Sequence, residues 1–105
     1  MSKRSASKGF SQVYFFYILK CQGDQLYVGS SADLKIRFQK HQSGCGAEFT
    51  RRFLPESIAY SESFPTREEA VQRELQVKRW SQKKKRALIA GDFDSLKRLS
   101  ISHGR

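Results

Sequence analysis

One segment, residues 13–20, constrains the fold of this chain more than any other. It is a run of aromatic and branched side chains without polar alternation, which is typical of a strand buried on both faces. We therefore expect it to be the central strand of a sheet. Gln22, Gly23 and Asp24 supply a turn and residues 25–29 return as a second strand, so a hairpin is predicted.

The rest of the sequence combines one further strand with several helices. Ser30 or Ser31 can cap a helix whose first turn holds Asp33, and Thr66 with Glu69 forms a capping box at the start of another. The elements predicted after the hairpin are a helix to about residue 42, a loop over residues 43–56, a third strand over residues 57–63, and helices over residues 66–79, 82–90 and 93–99. The resulting fold class is α+β, a small three-stranded antiparallel sheet flanked by helices.

The chain has 105 residues, which is enough for one domain and too few for two. The predicted parts are a disordered basic arm, a single domain and a tail, over residues 1–12, 13–100 and 101–105. Within the domain, Phe93, Leu96 and Leu99 are expected to pack the last helix against the body. The arm carries no apolar segment of the kind found in secretion signals, so we expect a cytoplasmic protein.

The strongest signal in the composition is charge. Twenty Lys and Arg against ten Asp and Glu give a net charge of +10, and in a chain of this size such an excess indicates a polyanionic partner. Nucleic acid is the first candidate, and a solvated basic surface without a specific partner is the alternative. A membrane is disfavoured because the sequence has no basic helix with a broad apolar face and no apolar run that could span a bilayer.

Three polar residues lie on helix faces that should turn toward the sheet. Arg37 and His41, one helical turn apart, border the apolar stripe of the first helix. Glu74 falls among apolar residues of a later helix, where a carboxylate is costly unless a cation or a metal compensates it. This pattern favours a functional site, and a structural ion pair of Glu74 with Lys78 or Arg37 is the alternative.

Two tyrosines on the predicted hairpin precede these residues. Tyr17 lies in the first strand and Tyr27 in the second, and a hairpin can bring both phenols to one end of a small sheet. The order of two tyrosines, an arginine, a histidine and a glutamate suggests a nuclease.

With these residues the chain resembles the GIY-YIG endonuclease superfamily, and most of all its small single-domain bacterial branch. The first signature corresponds to Phe15-Phe16-Tyr17 and the second to Tyr27-Val28-Gly29, and Arg37, His41 and Glu74 follow at the spacing of the family. Further similarity lies in residues 46–52, in Pro55 and in residues 61–70, and the resemblance covers roughly residues 13–90.

The resemblance implies hydrolysis of phosphodiester bonds with one Mg²⁺ or Mn²⁺ ion, and DNA is favoured over RNA as the substrate. Tyr27 would be the general base or would orient the attacking water, with help from His41. Tyr17 would position the phosphate or the water, and Arg37 would hold the scissile phosphate. Glu74 would bind the metal ion.

Two positions depart from the family pattern. Phe15 stands in place of the Gly of the first signature, and no Asn follows Glu74 where several larger members keep one near the metal-bearing Glu. The second departure supports an alternative function, a non-catalytic nucleic-acid-binding module on the same scaffold. A protein-interaction adaptor is a third hypothesis.

Further basic residues are expected to contact the phosphate backbone rather than take part in chemistry. They are Arg51, Arg52, Lys78, Arg79, Lys83, Lys84, Lys85 and Arg86. For the lysine run, a solvated helix face is the alternative. We expect a monomer or a weak homodimer whose selectivity comes from substrate shape, self-association or a partner protein.

Overall fold

The computed structural model describes residues 12–103, with the side chains of residues 12–100. Its elements are β1 (Tyr14–Cys21), β2 (Gln25–Ser31), α1 (Leu34–Gln42), α2 (Glu48–Arg52), β3 (Pro55–Phe64), α3 (Arg67–Lys78), α4 (Gln82–Ala90) and α5 (Phe93–His103). The sheet has the order β2-β1-β3 and both pairings are antiparallel, so the predicted α+β class and the central position of the first strand are confirmed. Residues 1–11 of the predicted arm and residues 104–105 of the predicted tail lie outside the described residues.

The predicted hairpin is confirmed, and its register places both tyrosines on one face. A short 3-10 turn over Gln22–Asp24 joins β1 to β2. Tyr17 pairs with Gly29 and Leu19 pairs with Tyr27. Directly paired residues point to the same face, as do residues two apart on a strand. Tyr17 and Tyr27 therefore share a face of the sheet.

Helices cover both faces of the sheet, which explains the uninterrupted apolar run of β1. Phe16 and Ile18 pack on one side against α3, α4 and α5, through Val77, Leu88 and Leu96. On the opposite side, the cluster of Tyr17, Leu19 and Cys21 packs against α1, α2 and the residue after α2, through Leu34, Phe38, Phe49 and Phe53. A strand between two helical layers has no solvent-facing side, so both sets of its side chains are apolar.

Two expectations about the middle of the chain are wrong. Ser30 and Ser31 do not cap α1, because both still pair with β1 as part of β2; the cap is Asp33, whose carboxylate accepts a hydrogen bond from the Ile36 backbone N at 3.0 Å. Residues 43–56 are not all loop, because they contain α2 and the start of β3. A helix of five residues is too short to show a periodicity in the sequence.

The C-terminal helices follow the prediction more closely. Thr66 caps α3 by accepting from the Glu69 backbone N at 3.3 Å, and α4 ends at Gly91, which has a left-handed φ of 71°. The last helix is longer than predicted, since α5 runs to His103. Phe93 does not pack against the body, because 68% of it is exposed, whereas Leu96 joins the core. Within residues 12–103, no helix is long and apolar enough to cross a bilayer.

Candidate active site

The Tyr17 side chain lies across the backbone of its partner Gly29. A Cβ at Gly29 would lie 2.6 Å from the Tyr17 hydroxyl oxygen and 2.7 Å from its Cζ, well inside van der Waals contact. Position 29 is therefore restricted to glycine by the close approach of the ring.

Three hydrogen-bonded side chains, which we call the buried row, continue from this phenol into the layer of α1 and α2. The Tyr17 hydroxyl lies 3.2 Å from His41 Nε2, and His41 Nδ1 lies 2.7 Å from Thr50 Oγ1. The Thr50 hydroxyl in turn donates to the Ala47 carbonyl oxygen at 2.9 Å. Tyr17 is 1% exposed, and His41 and Thr50 are completely buried. Both nitrogens of His41 are thus engaged inside the protein.

Burial also controls the protonation of the row. It raises the pKa of Tyr17 to about 12, although the nearby Arg37 guanidinium acts in the opposite direction. Burial, together with the positive charge of Arg37, lowers the pKa of His41 below its ordinary value. At neutral pH the phenol is therefore protonated and the imidazole is neutral.

Arg37 lies at the open end of the buried row, on α1. Its Nε is buried and has no hydrogen-bond partner among the described residues. A buried donor without an acceptor is rare in folded proteins, and a water, an ion or a functional role is the usual explanation. The guanidinium lies near enough to Tyr17 to lower the pKa of that phenol, and its Nε–H has no acceptor among the described residues.

Tyr27 is the more open of the two tyrosines. Its ring contacts His41, with centroids 5.0 Å apart, and Phe49, with centroids 5.8 Å apart, and it is only partly buried. Burial raises the pKa of Tyr27, while the positive charges of Lys78 and Arg37 lower it and the negative charge of Glu74 raises it. These charges reach the phenol from α1 on one side of the sheet and from α3 on the other.

Glu74 comes from the opposite helical layer and reaches the rim of the sheet at β2. Its Oε1 accepts a hydrogen bond from Ser30 Oγ at 2.6 Å, and its Oε2 pairs with Lys78 Nζ at 3.1 Å. The Glu74 side chain is 17% exposed and that of Lys78 is 52% exposed. The ion pair with Lys78, the alternative interpretation of Glu74, is therefore present.

The five predicted catalytic residues converge, but they do not have the same access to solvent. Tyr17 and His41 are buried, whereas the other three are partly exposed at the rim of the edge strand β2. The help that His41 is expected to give Tyr27 cannot come through a hydrogen bond, because both nitrogens of His41 have other partners. The site thus has two inner residues, which are buried, and three outer residues, which solvent can reach.

Two residues of the site were missed by sequence reasoning. The sequence offers Ser30 or Ser31 as a helix cap, yet Ser30 donates a hydrogen bond to Glu74, 44 positions further along the chain. Thr50 lies within the predicted loop, where the sequence indicates no role for it, yet it is the partner of His41 Nδ1. The only signal in the sequence for Thr50 was its place within residues 46–52, which resemble a loop of the family.

The predicted phosphate contacts are mostly on the surface, with one exception. Arg51, Arg52, Lys78, Arg79, Lys83 and Arg86 are exposed, and Lys85 is partly buried. Lys84 is only 8% exposed, and its ammonium lies 4.2 Å from the centre of the Trp80 ring, so it does not belong to a surface that could meet phosphates. Its stem covers the core because Lys84, Ala87 and Leu88 share the buried stripe of α4.

The remaining basic residues are spread over several elements. Arg51 and Arg52 end α2, whereas Arg79 follows α3. Arg86 pairs with Asp24 of the hairpin turn at 3.0 Å, which fixes α4 to that end of the sheet. Lys85 lies near enough to Lys78 that this charge, after burial, lowers the pKa of Lys85.

Comparison with known proteins identifies the class to which this fold and site belong. Residues 13–87 match the family model described as the GIY-YIG catalytic domain. The chain belongs to the GIY-YIG family, which is a nuclease family.

Its relatives are small bacterial proteins. The UPF0213 protein of Bacillus pumilus is 44% identical over 72 residues, which cover 69% of this chain and 74% of that protein. The UPF0213 protein of Staphylococcus saprophyticus is 39% identical over 77 residues, covering 73% of this chain and 94% of that protein. A solution NMR structure of the UPF0213 protein of Bacillus halodurans, 37% identical, aligns over 74% of this chain and 83% of that one with a TM-score of 0.49.

Proposed function

We propose that this chain is a metal-dependent endonuclease that hydrolyses phosphodiester bonds in DNA. The observation that carries the proposal is the buried, unpartnered Nε of Arg37 at the rim where Tyr27 and Glu74 also lie. A phosphate oxygen would satisfy this donor, and a guanidinium can hold two phosphate oxygens at once. Negative charge that builds on those oxygens during hydrolysis would be stabilised at the same place.

Tyr27 is the group best placed to act on the attacking water. Tyr17 is buried, with its hydroxyl bonded to His41, whereas Tyr27 is partly open to solvent and lies within reach of two positive charges and one negative charge. A phenol with a raised pKa is a poor base unless nearby cations stabilise its phenolate form. The positive charges of Lys78 and Arg37 oppose the effect of burial on the pKa of Tyr27 without reversing it, and Tyr27 would orient the water and accept its proton.

Glu74 fits a divalent metal ion. An ionised carboxylate has about four lone-pair sites, and Ser30 and Lys78 use only two of those on Glu74. Within the described residues no group of three His, Cys, Asp or Glu side chains could form a cage around a metal. Mg²⁺ commonly binds to one or two carboxylates and completes its shell with waters and substrate phosphates. Glu74 would hold the ion, which would supply positive charge to the leaving oxygen.

The exposed basic residues would bind the backbone of the nucleic acid. Contacts of this kind are largely independent of sequence and weaken with salt. No base-reading element is expected, so substrate shape, self-association or a partner protein would supply selectivity.

A non-catalytic nucleic-acid-binding module is the second candidate function. The ion pair between Glu74 and Lys78 favours it, because a carboxylate that is already paired can have a purely structural role. Both functions predict binding that falls with salt, so only cleavage distinguishes them.

The test compares Glu74→Gln with Glu56→Gln, since Glu56 is also paired with a lysine, Lys20, but in an exposed position on β3. We expect the wild-type protein to cleave branched, single-stranded or duplex DNA only with Mg²⁺ or Mn²⁺. Glu74→Gln should lower the cleavage rate by about 100-fold or more while binding survives, and Glu56→Gln should leave the rate unchanged. Absence of cleavage by the wild-type protein on all three substrates with both metals would establish the binding module instead.

A further inference from the structure

The hydrogen bonds of the buried row all run in one direction, because each hydroxyl has only one proton to donate. Tyr17 has only one hydrogen-bond acceptor among the described residues, His41 Nε2. The guanidinium of Arg37, which also acts on this phenol, can only donate. If the Tyr17 proton did not go to His41, a buried hydroxyl would be left without an acceptor, which costs free energy.

The other end of the row gives the same direction. The Thr50 hydroxyl lies 2.9 Å from the Ala47 carbonyl oxygen, which can only accept, so Thr50 donates there. Thr50 Oγ1 is then an acceptor toward His41 Nδ1 at 2.7 Å, and the Nδ1 atom must carry the proton. In this arrangement His41 Nε2 is free of hydrogen and accepts from Tyr17.

We propose that Thr50 is a positioning residue for Arg37, acting through His41 and Tyr17. By accepting from His41 Nδ1, Thr50 fixes the tautomer of the imidazole, and the imidazole turns the Tyr17 hydroxyl proton away from Arg37. The Tyr17 oxygen then keeps its lone pairs free for the guanidinium, whose charge already acts on this phenol. With the opposite tautomer, the Tyr17 proton would face a cation and the guanidinium would lose this support.

Gly46 packs against the His41 ring beside the contact with Thr50. A Cβ at Gly46 would overlap His41 Nδ1, so the loop before α2 packs tightly against that edge of the ring. Ala47, the next residue, is the N-cap of α2, and its carbonyl oxygen accepts a hydrogen bond from the Thr50 hydroxyl. The turn at these two residues thus leaves Nδ1 enclosed, with Thr50 as its one partner among the described residues.

The tautomer can be measured directly in the full-length protein by nitrogen-15 NMR of the histidine rings. The chain has two histidines, His41 and His103, and the spectrum of His41→Gln assigns them. The matched variants are Thr50→Val, which keeps the shape and removes the hydroxyl, and Thr50→Ser, which restores it. Cleavage rates of the same proteins supply the second measurement, and this arm rests on the proposed nuclease function.

We expect wild-type His41 to carry its proton on Nδ1, and Thr50→Val to shift the proton wholly or partly to Nε2. Cleavage by Thr50→Val should fall by about 10-fold to 100-fold, the usual loss for a residue that orients a functional group, and Thr50→Ser should recover most of it.

Wild-type His41 with its proton on Nε2, or a Thr50→Val spectrum identical to that of the wild type, would overturn the proposal. So would a Thr50→Val protein that changes tautomer but cleaves at the normal rate. If Thr50→Val does not fold, the wild-type spectrum and Thr50→Ser still decide the tautomer. A wild-type protein that never cleaves would defeat the proposed function, and the spectrum would still decide whether Thr50 fixes His41.

Discussion

Tyr17 and Tyr27 differ in how much of each side chain reaches solvent, and this difference separates their roles. Tyr17 is enclosed by its own partner strand and by His41, so its hydroxyl is a link between buried groups. Tyr27 lies at the rim, in contact with one face of His41 and within reach of three charges. We therefore propose that Tyr27 orients the attacking water and that Tyr17 helps to position Arg37.

This assignment predicts how cleavage depends on pH. Burial raises the pKa of Tyr27, so the phenolate is scarce at neutral pH and becomes more populated as pH rises. The cleavage rate should increase by about tenfold per pH unit between pH 7 and 9, as expected for a base whose pKa lies above this range. Single-turnover rates across this range provide the measurement, with Tyr27→Phe as the control that should be slow at every pH. A wild-type rate that is flat or falls over the same range would contradict the assignment.

At the scale of elements, the hairpin of β1 and β2 positions the site through its register. Pairing of Tyr17 with Gly29 places the phenol over a residue without a side chain. A one-residue shift in register would turn the phenol to the other face. The register of the hairpin therefore determines where the Tyr17 phenol lies in the site.

A methyl group at Gly29 should damage both stability and activity. We expect Gly29→Ala to lower the free energy of unfolding by about 1–3 kcal/mol, because overpacking forces the Tyr17 ring aside, and to lower cleavage as well. Gly91→Ala is the matched control. Gly91 has a left-handed φ of 71° and open space around its Cα, so alanine there should cost about 1 kcal/mol through backbone strain alone. Thermal unfolding and cleavage should show both variants destabilised but only Gly29→Ala slow. Equal activity of the two variants would refute the role of Gly29.

The elements also show what the sequence could and could not predict. The strands and the long helices have period and capping signals of their own, so the order of elements and the fold class were predictable. The short helix α2 has too few residues for a period, and the choice of Asp33 over Ser30 as cap depends on where β2 stops pairing. The sequence of α4 predicts a surface cation at Lys84, because the burial of Lys84 depends on Trp80, which lies outside α4.

At the scale of the whole molecule, the site exists because β2 is an edge strand. Arg37 belongs to the layer of α1 and α2, whereas Glu74 belongs to the layer of α3, α4 and α5, and only at the rim of the sheet can both layers reach one substrate. Contacts such as Ser30 with Glu74 join distant parts of the chain. The types of the five polar residues were readable from the sequence with the family resemblance, but such contacts, and the division into inner and outer residues, require the packed fold.

The central claim is that Arg37 holds the scissile phosphate in this convergent site, and its most direct test is the single-turnover cleavage rate of Arg37→Ala at saturating protein. Saturation removes differences in affinity, so the rate reports the chemical step alone. Arg52→Ala is the matched control, since Arg52 is an exposed cation of α2 that would contribute only to binding. We predict that Arg37→Ala cleaves about 100-fold to 1000-fold more slowly than the wild type, while Arg52→Ala cleaves at the wild-type rate. An Arg37→Ala protein that cleaves as fast as the wild type at saturation would contradict the claim.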